Sequence, residues 1–150
     1  MTMVGTFLAA SAAVIAVTAY PLAAQAGAAD GDQVVRVQDG KLRCLISTDD
    51  VPRGGGPMAV CGLSNGQPFG TSPAVARYSP QQSLAVVRGT GERFWFSGTL
   101  PPADGDVVLG PGETYRVNGW TIRNDPFKAF IVNDFYEHGM TINETEMRQI

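Results

Sequence analysis

Around Asn118-Gly119 the apolar and polar residues alternate with a period of two, and the alternation predicts a β-hairpin. Both central residues of a tight type I′ turn need positive φ, which Asn and Gly tolerate best. Pairing across this turn sets Val117 against Trp120 and Tyr115 against Ile122, with Arg116 against Thr121 and Thr114 against Arg123. The bulky apolar side chains then share one face and the polar ones the other, as a half-buried hairpin requires. A single straight strand would put Tyr115 and Val117 opposite Trp120 and Ile122 unless a bulge at Gly119 restored the phase.

Asp39-Gly40 marks a second two-residue turn, between strands at 34–38 and 41–47. Its register places Val35 and Val37 on one face with Leu42 and Cys44. It also sets Arg36 opposite Arg43, a like-charge pair that opposes folding. A third hairpin is predicted across Gly89-Thr90-Gly91-Glu92, with Val87 opposite Phe94, Ala85 opposite Phe96, and Trp95 on the other face with Val86 and Leu84. Both faces are apolar. Such a strand is either covered on both sides or displays a Trp95 patch to a partner.

Further strands are expected at 58–63, 107–109, 129–132 and 140–142, with a short one at 74–78. Residues 48–57 carry Asp49, Asp50, Pro52 and the run Gly54-Gly55-Gly56, which reads as an exposed loop. The C-terminal residues 143–150 read as a short helix capped by Asn143 or Thr145, with Glu144 and Glu146 in its first turn. Short strands punctuated by Gly and Pro predict an all-β fold, a small antiparallel sandwich or barrel, as one domain over 34–150.

The N-terminus changes the picture. An apolar run over 7–20 is followed by Pro21 and by Ala24-Gln25-Ala26, which fits the A-x-A rule for export-signal cleavage. Residues 1–26 are therefore read as a signal peptide and 27–33 as a flexible lead-in, leaving no stable membrane span after cleavage. A retained anchor is the competing reading, but spanning a bilayer takes about 20 apolar residues and this run ends at a proline. Outside the cytoplasm, Cys44 and Cys61 read as one disulfide. No C-x-x-C spacing or His pair supports a metal or redox site. The formal charge of −3, with nine Arg and two Lys scattered along the chain, argues against a nucleic-acid surface.

Candidate chemistry is sparse. The single histidine, His138, lies near Asp134, Tyr136 and Glu137, a set that would suit a carboxylate-oriented base. The competing role is structural, because Asn133-Asp134 and His138-Gly139 are turn formers between two strands and the imidazole would then cap a backbone carbonyl. No nucleophile motif, calcium loop or cofactor fingerprint occurs. Glu113, or the pair Asp104 and Asp106, would supply carboxylates for glycoside chemistry, but scattered acids in loops are the ordinary state of a soluble surface. For ligand or partner binding the candidates are Trp95, Trp120 and the loop 133–140, with Asn133 and His138 singled out within it.

Two Cys in the first half of the exported part, Gly112-Glu113-Thr114-Tyr115 leading into Gly119-Trp120-Thr121-Ile122, and Asn133-Asp134 before His138-Gly139-Met140 resemble a group of small exported proteins of mycobacteria and related actinobacteria. The resemblance implies an address outside the cytoplasm and no particular activity. It also implies that 118–120 and 133–140 form one feature. The expectation is a non-catalytic β-domain of the envelope or medium that binds an unidentified envelope protein or a small apolar molecule. Its alternatives are a hydrolase or metal-dependent enzyme centred on His138, and a structural subunit of an envelope assembly.

Overall fold

The computed structural model describes residues 31–73 and 81–150. The export segment, most of the lead-in and the strand expected at 74–78 lie outside them. The described residues form strands β1 (Gln33–Val37), β2 (Leu42–Ser47), β3 (Met58–Leu63), β4 (Leu84–Arg88), β5 (Arg93–Phe96), β6 (Val107–Val108), β7 (Thr114–Val117), β8 (Trp120–Asn124), β9 (Ala129–Asn133), β10 (Gly139–Ile142) and β11 (Met147–Gln149). The only helical turn among them is a 3-10 turn at Val51–Arg53. One sheet has six strands in the order β5-β4-β3-β2-β1-β6, and the other has five in the order β11-β10-β9-β8-β7. Each sheet ends in strands paired on one side only, so the fold is a sandwich and not a closed barrel.

The β7–β8 hairpin forms in the expected register, with Asn118 at φ 53° and Gly119 at φ 77°. At the β1–β2 turn the left-handed run begins one residue early, at Gln38. Asn124 explains the shift: its Oδ1 accepts from both the Gln38 N–H and the Gln38 side-chain amide, at 3.0 Å each. The same Asn124 donates through Nδ2 to the carbonyls of Leu109 and Gly110. One buried amide thus ties β8 of one sheet to the end of β1 in the other and to the segment that follows β6. β6 runs parallel to β1, the one parallel pair among the described residues.

Arg36 and Arg43 do stand opposite each other. Asp106 resolves the conflict. Its Oδ2 accepts from Arg36 Nε at 2.8 Å and from Arg43 Nε at 2.7 Å, and its Oδ1 from Arg43 Nη2 at 3.0 Å. Burial opposes ionisation of this carboxylate, but hydrogen bonds from Arg43 and then Arg36 outweigh it and hold Asp106 below the usual carboxylate range. Two like charges and one opposite charge become a single bridge across β1, β2 and the start of β6, so Asp106 serves the fold and does not pair with Asp104 in a cleft.

The main core lies between the sheets, where Val35, Val37, Leu42, Ile46 and Val87 meet Tyr115, Val117, Trp120, Ile122, Ile131 and Met140. Cys44 and Cys61 face each other across β2 and β3 with Cα atoms 4.0 Å apart, and their disulfide is buried within this core. A second apolar layer, Val34, Leu45, Met58, Val60, Leu84 and Val86, lies on the outer face of the six-stranded sheet under Phe94 and Leu100. Burying both faces of β2, β3 and β4 explains why these strands read as continuous apolar runs.

Two expectations are corrected. The β4–β5 hairpin closes one residue tighter, with Val86 opposite Phe94 and Ala85 opposite Trp95. A one-residue slip reverses both faces. Trp95 therefore turns inward against Phe69, ring centroids 5.7 Å apart, while Phe94 and Phe96 turn outward. The C-terminal helix is replaced by β11. Asn143 Oδ1 does accept from the Thr145 and Glu146 N–H groups as a helix cap would, but Asn143 N then donates to Glu146 O and closes a hairpin.

Candidate functional site

Four loops meet at one end of the sandwich: β2–β3, β4–β5, β7–β8 and β9–β10. Gly89 N donates to Pro57 O at 2.8 Å, and Asp134 N donates to Gly119 O at 2.9 Å. Asn118 Nδ2 donates to Gly31 O and to Ile46 O, at 2.9 Å each, and so staples the β7–β8 turn to the opposite sheet. Segments 118–120 and 133–140 adjoin as one feature, with Trp120 paired to Asn133.

The β9–β10 connection, residues 134–138, is closed by local hydrogen bonds. Asn133 N donates to His138 O at 2.8 Å, and Glu137 N donates to Asn133 O at 2.9 Å. Asn133 Oδ1 accepts from the N–H groups of Phe135 and Tyr136 at 3.2 and 3.0 Å, a local turn of the kind Asn forms well. Glu137 completes it in the left-handed region at φ 61°. Asp134 is fixed from the outer sheet face by Thr121, whose hydroxyl donates to its Oδ1 at 2.5 Å. With the N–H groups of residues 134–137 all hydrogen-bonded, this tip carries Phe135 at 83% exposure and Tyr136 at 43%, their rings edge to face at 4.8 Å.

The residues singled out from the sequence are placed differently from one another. Trp120 is fully buried in the core, so it has no surface to offer a ligand, and its Nε1 has no hydrogen-bond partner among the described residues. Trp95 is half-buried on the inner face of an edge strand. Asn133 is buried and spent on the turn. His138 is exposed and lies against Gly91, where an added Cβ would come within 3.0 Å of its Cγ. The hydrogen bond at His138 runs through its main-chain carbonyl, and the expected capping by the imidazole is replaced by that contact. Asp134 Oδ1 is engaged with Thr121, and among the described residues His138 makes no ion pair with Asp134 or Glu137. Among the described residues no three His, Cys, Asp or Glu side chains are grouped to hold a metal.

Phe135 and Tyr136 lie within the 133–140 loop expected to bind, in which the sequence singles out Asn133 and His138 and not these two rings. Beside them lies a shallow hollow of about 340 Å³ lined by Thr48, Pro57, Asn118, Gly119, Asn133 and Asp134 as well as the two rings. The signal was present in the chain: two aromatic residues between Asn133-Asp134 and Gly139 occupy the tip of a hairpin, which has no inner face in which to bury them.

Comparison with protein-family models gives no match. Neither curated proteins nor solved structures match the chain. No helix among the described residues is long and apolar enough to cross a membrane.

Proposed function

We propose that this chain is an exported, non-catalytic β-sandwich that works in the cell envelope or the surrounding medium as a docking module for another protein. The export reading rests on the apolar N-terminal segment with Ala24-Gln25-Ala26, on the likeness to exported actinobacterial proteins, and on a disulfide suited to an oxidising compartment. The docking reading rests on one observation: a hairpin tip whose N–H groups from Asp134 to Glu137 are all hydrogen-bonded holds Phe135 and Tyr136 out in water. Large aromatic residues dominate interface energetics and are otherwise buried. Phe127 is just as exposed at the opposite end, but it stands alone in a turn beside Lys128, and single exposed apolar residues are ordinary.

A partner protein suits this end better than a small apolar ligand. Pockets for small molecules enclose most of their ligand, whereas this hollow is open and shallow. The His138 enzyme reading needs a carboxylate beside the imidazole in a cavity, and His138 lies outside the hollow lining. The test is cross-linking of tagged chain in its native envelope, comparing wild type with a Phe135→Ser/Tyr136→Ser variant of equal melting temperature. A discrete adduct lost in the variant is expected. A wild-type chain recovered as a lone monomer from both envelope and medium would remove the proposal.

A further inference from the structure

The hollow at the docking end has one charged wall. Asp134 is the only residue in its lining that carries a charge at neutral pH, and it shares the lining with Pro57 and the rings of Phe135 and Tyr136. Thr121 takes Oδ1 of that carboxylate, and Oδ2 has no donor among the described residues. Further negative charge stands close by along the chain. Glu137 follows the rings, Asp49 follows Thr48, and Asp32 follows Gly31, whose carbonyl is held by Asn118; all three acids are exposed.

The chemistry of an occupant follows from this pairing of aromatic rings with a carboxylate. A wholly apolar side chain would strip water from Asp134 and leave its charge unpaired. An anionic segment would be repelled by the surrounding acids. A cationic side chain with a long apolar stem meets both demands, laying its methylenes along Pro57 and the rings and bringing its charge to the carboxylate and the aromatic face. Between the two such residues, a planar guanidinium stacks on an aromatic ring while still donating to a carboxylate, which an ammonium does less well. Resting on the docking role proposed above, we propose that this hollow receives an arginine side chain from an extended segment of the partner protein.

The test is a backbone-amide NMR titration of the full chain with two blocked tripeptides, Ala-Arg-Ala and Ala-norleucine-Ala. The arginine peptide is expected to shift Gly119, Phe135 and Tyr136 saturably and to bind at least about tenfold more tightly than the norleucine peptide, the scale of one charge-assisted hydrogen bond. Asp134→Asn keeps an oxygen for Thr121 and so retains the fold, but it should bring the arginine peptide down to the norleucine level. Tyr136→Ala should weaken both peptides. Equal binding of the two peptides, or an unchanged arginine affinity in Asp134→Asn, would overturn the arginine assignment while leaving the docking end intact. No shift at this end with either peptide would also overturn it, and the cross-linking comparison would still report on docking separately.

Discussion

Asn118 does two things with one side chain: it accepts the left-handed turn and it donates to the carbonyls of Gly31 and Ile46. The two roles separate by mutation. Asn118→Gly keeps the turn and loses the hydrogen bonds, at a cost of roughly 1 kcal/mol for one part-buried and one exposed bond. Asn118→Ala should cost roughly 1 kcal/mol more, because alanine adds left-handed strain; equal urea midpoints for the two variants would show that strain is absent. Only the turn role was legible in the sequence, since the clamp depends on where the opposite sheet lies. Asp106 is the same kind of case. The Arg36–Arg43 conflict is visible from register alone, but the carboxylate that settles it comes from about 60 or 70 residues further along the chain, beyond any local pattern. Asp106→Asn should destabilise the fold by roughly 3 kcal/mol near neutral pH, because it leaves Arg43 largely buried without its counter-charge. The folded carboxylate sits below its unfolded value of about 4, so its contribution is complete above that value and is lost as pH falls through the folded one. Unfolding curves of wild type and variant should therefore converge as pH falls below about 4, and a gap that stayed constant with pH would assign the loss to packing.

Among the elements, hairpins closed by two residues were readable and the one closed by a longer loop was not. Asn-Gly and Asp-Gly leave one way to close, so β7–β8 and β1–β2 have the register that the alternation predicts. Gly89-Thr90-Gly91-Glu92 allows more than one closure, and the tighter one, with Arg88 N donating to Glu92 O at 2.8 Å, sends Trp95 inward. The C-terminus misleads for a related reason: an Asn that satisfies two successive N–H groups begins a helix or closes a hairpin equally well, and pairing of Met147 with Ile142 decides for the strand. Gly139 is a further constraint invisible in the pattern. A Cβ there would sit 1.9 Å from Ile131 O, so β10 can pair with β9 only through a glycine. Gly139→Ala should cost about 3 kcal/mol or more and selectively lower hydrogen-exchange protection in β9 and β10. Unchanged protection there would mean that the strands part without penalty. The Cys44–Cys61 bridge closes a loop of sequence separation 17, and its reduction should lower stability by roughly 3 kcal/mol in the chain-entropy model, read as a shift in the urea midpoint.

At the scale of the whole molecule, the six-stranded sheet is the centre, apolar on both faces: one face packs on the five-stranded sheet and the other lies under Phe94, Leu100 and the Arg43–Asp106 bridge. The all-β class and the inward-facing disulfide follow from alternation and compartment, and both were legible. Of the end where four loops meet, the adjacency of 118–120 and 133–140 was expected from the resemblance, but the hollow was not, because only the arrangement of four hairpins puts Pro57, Gly119 and the 134–137 tip around it. Tryptophans draw attention in a sequence, yet here Trp120 builds the core and the smaller rings of Phe135 and Tyr136 face the solvent. What separates a recognition surface from an ordinary mobile loop is order. Nitrogen-15 relaxation of the full chain measures it directly: backbone order parameters at residues 134–137 should equal those of β9 and β10, about 0.85. Values below about 0.6 at Phe135 and Tyr136 would contradict a preformed docking tip.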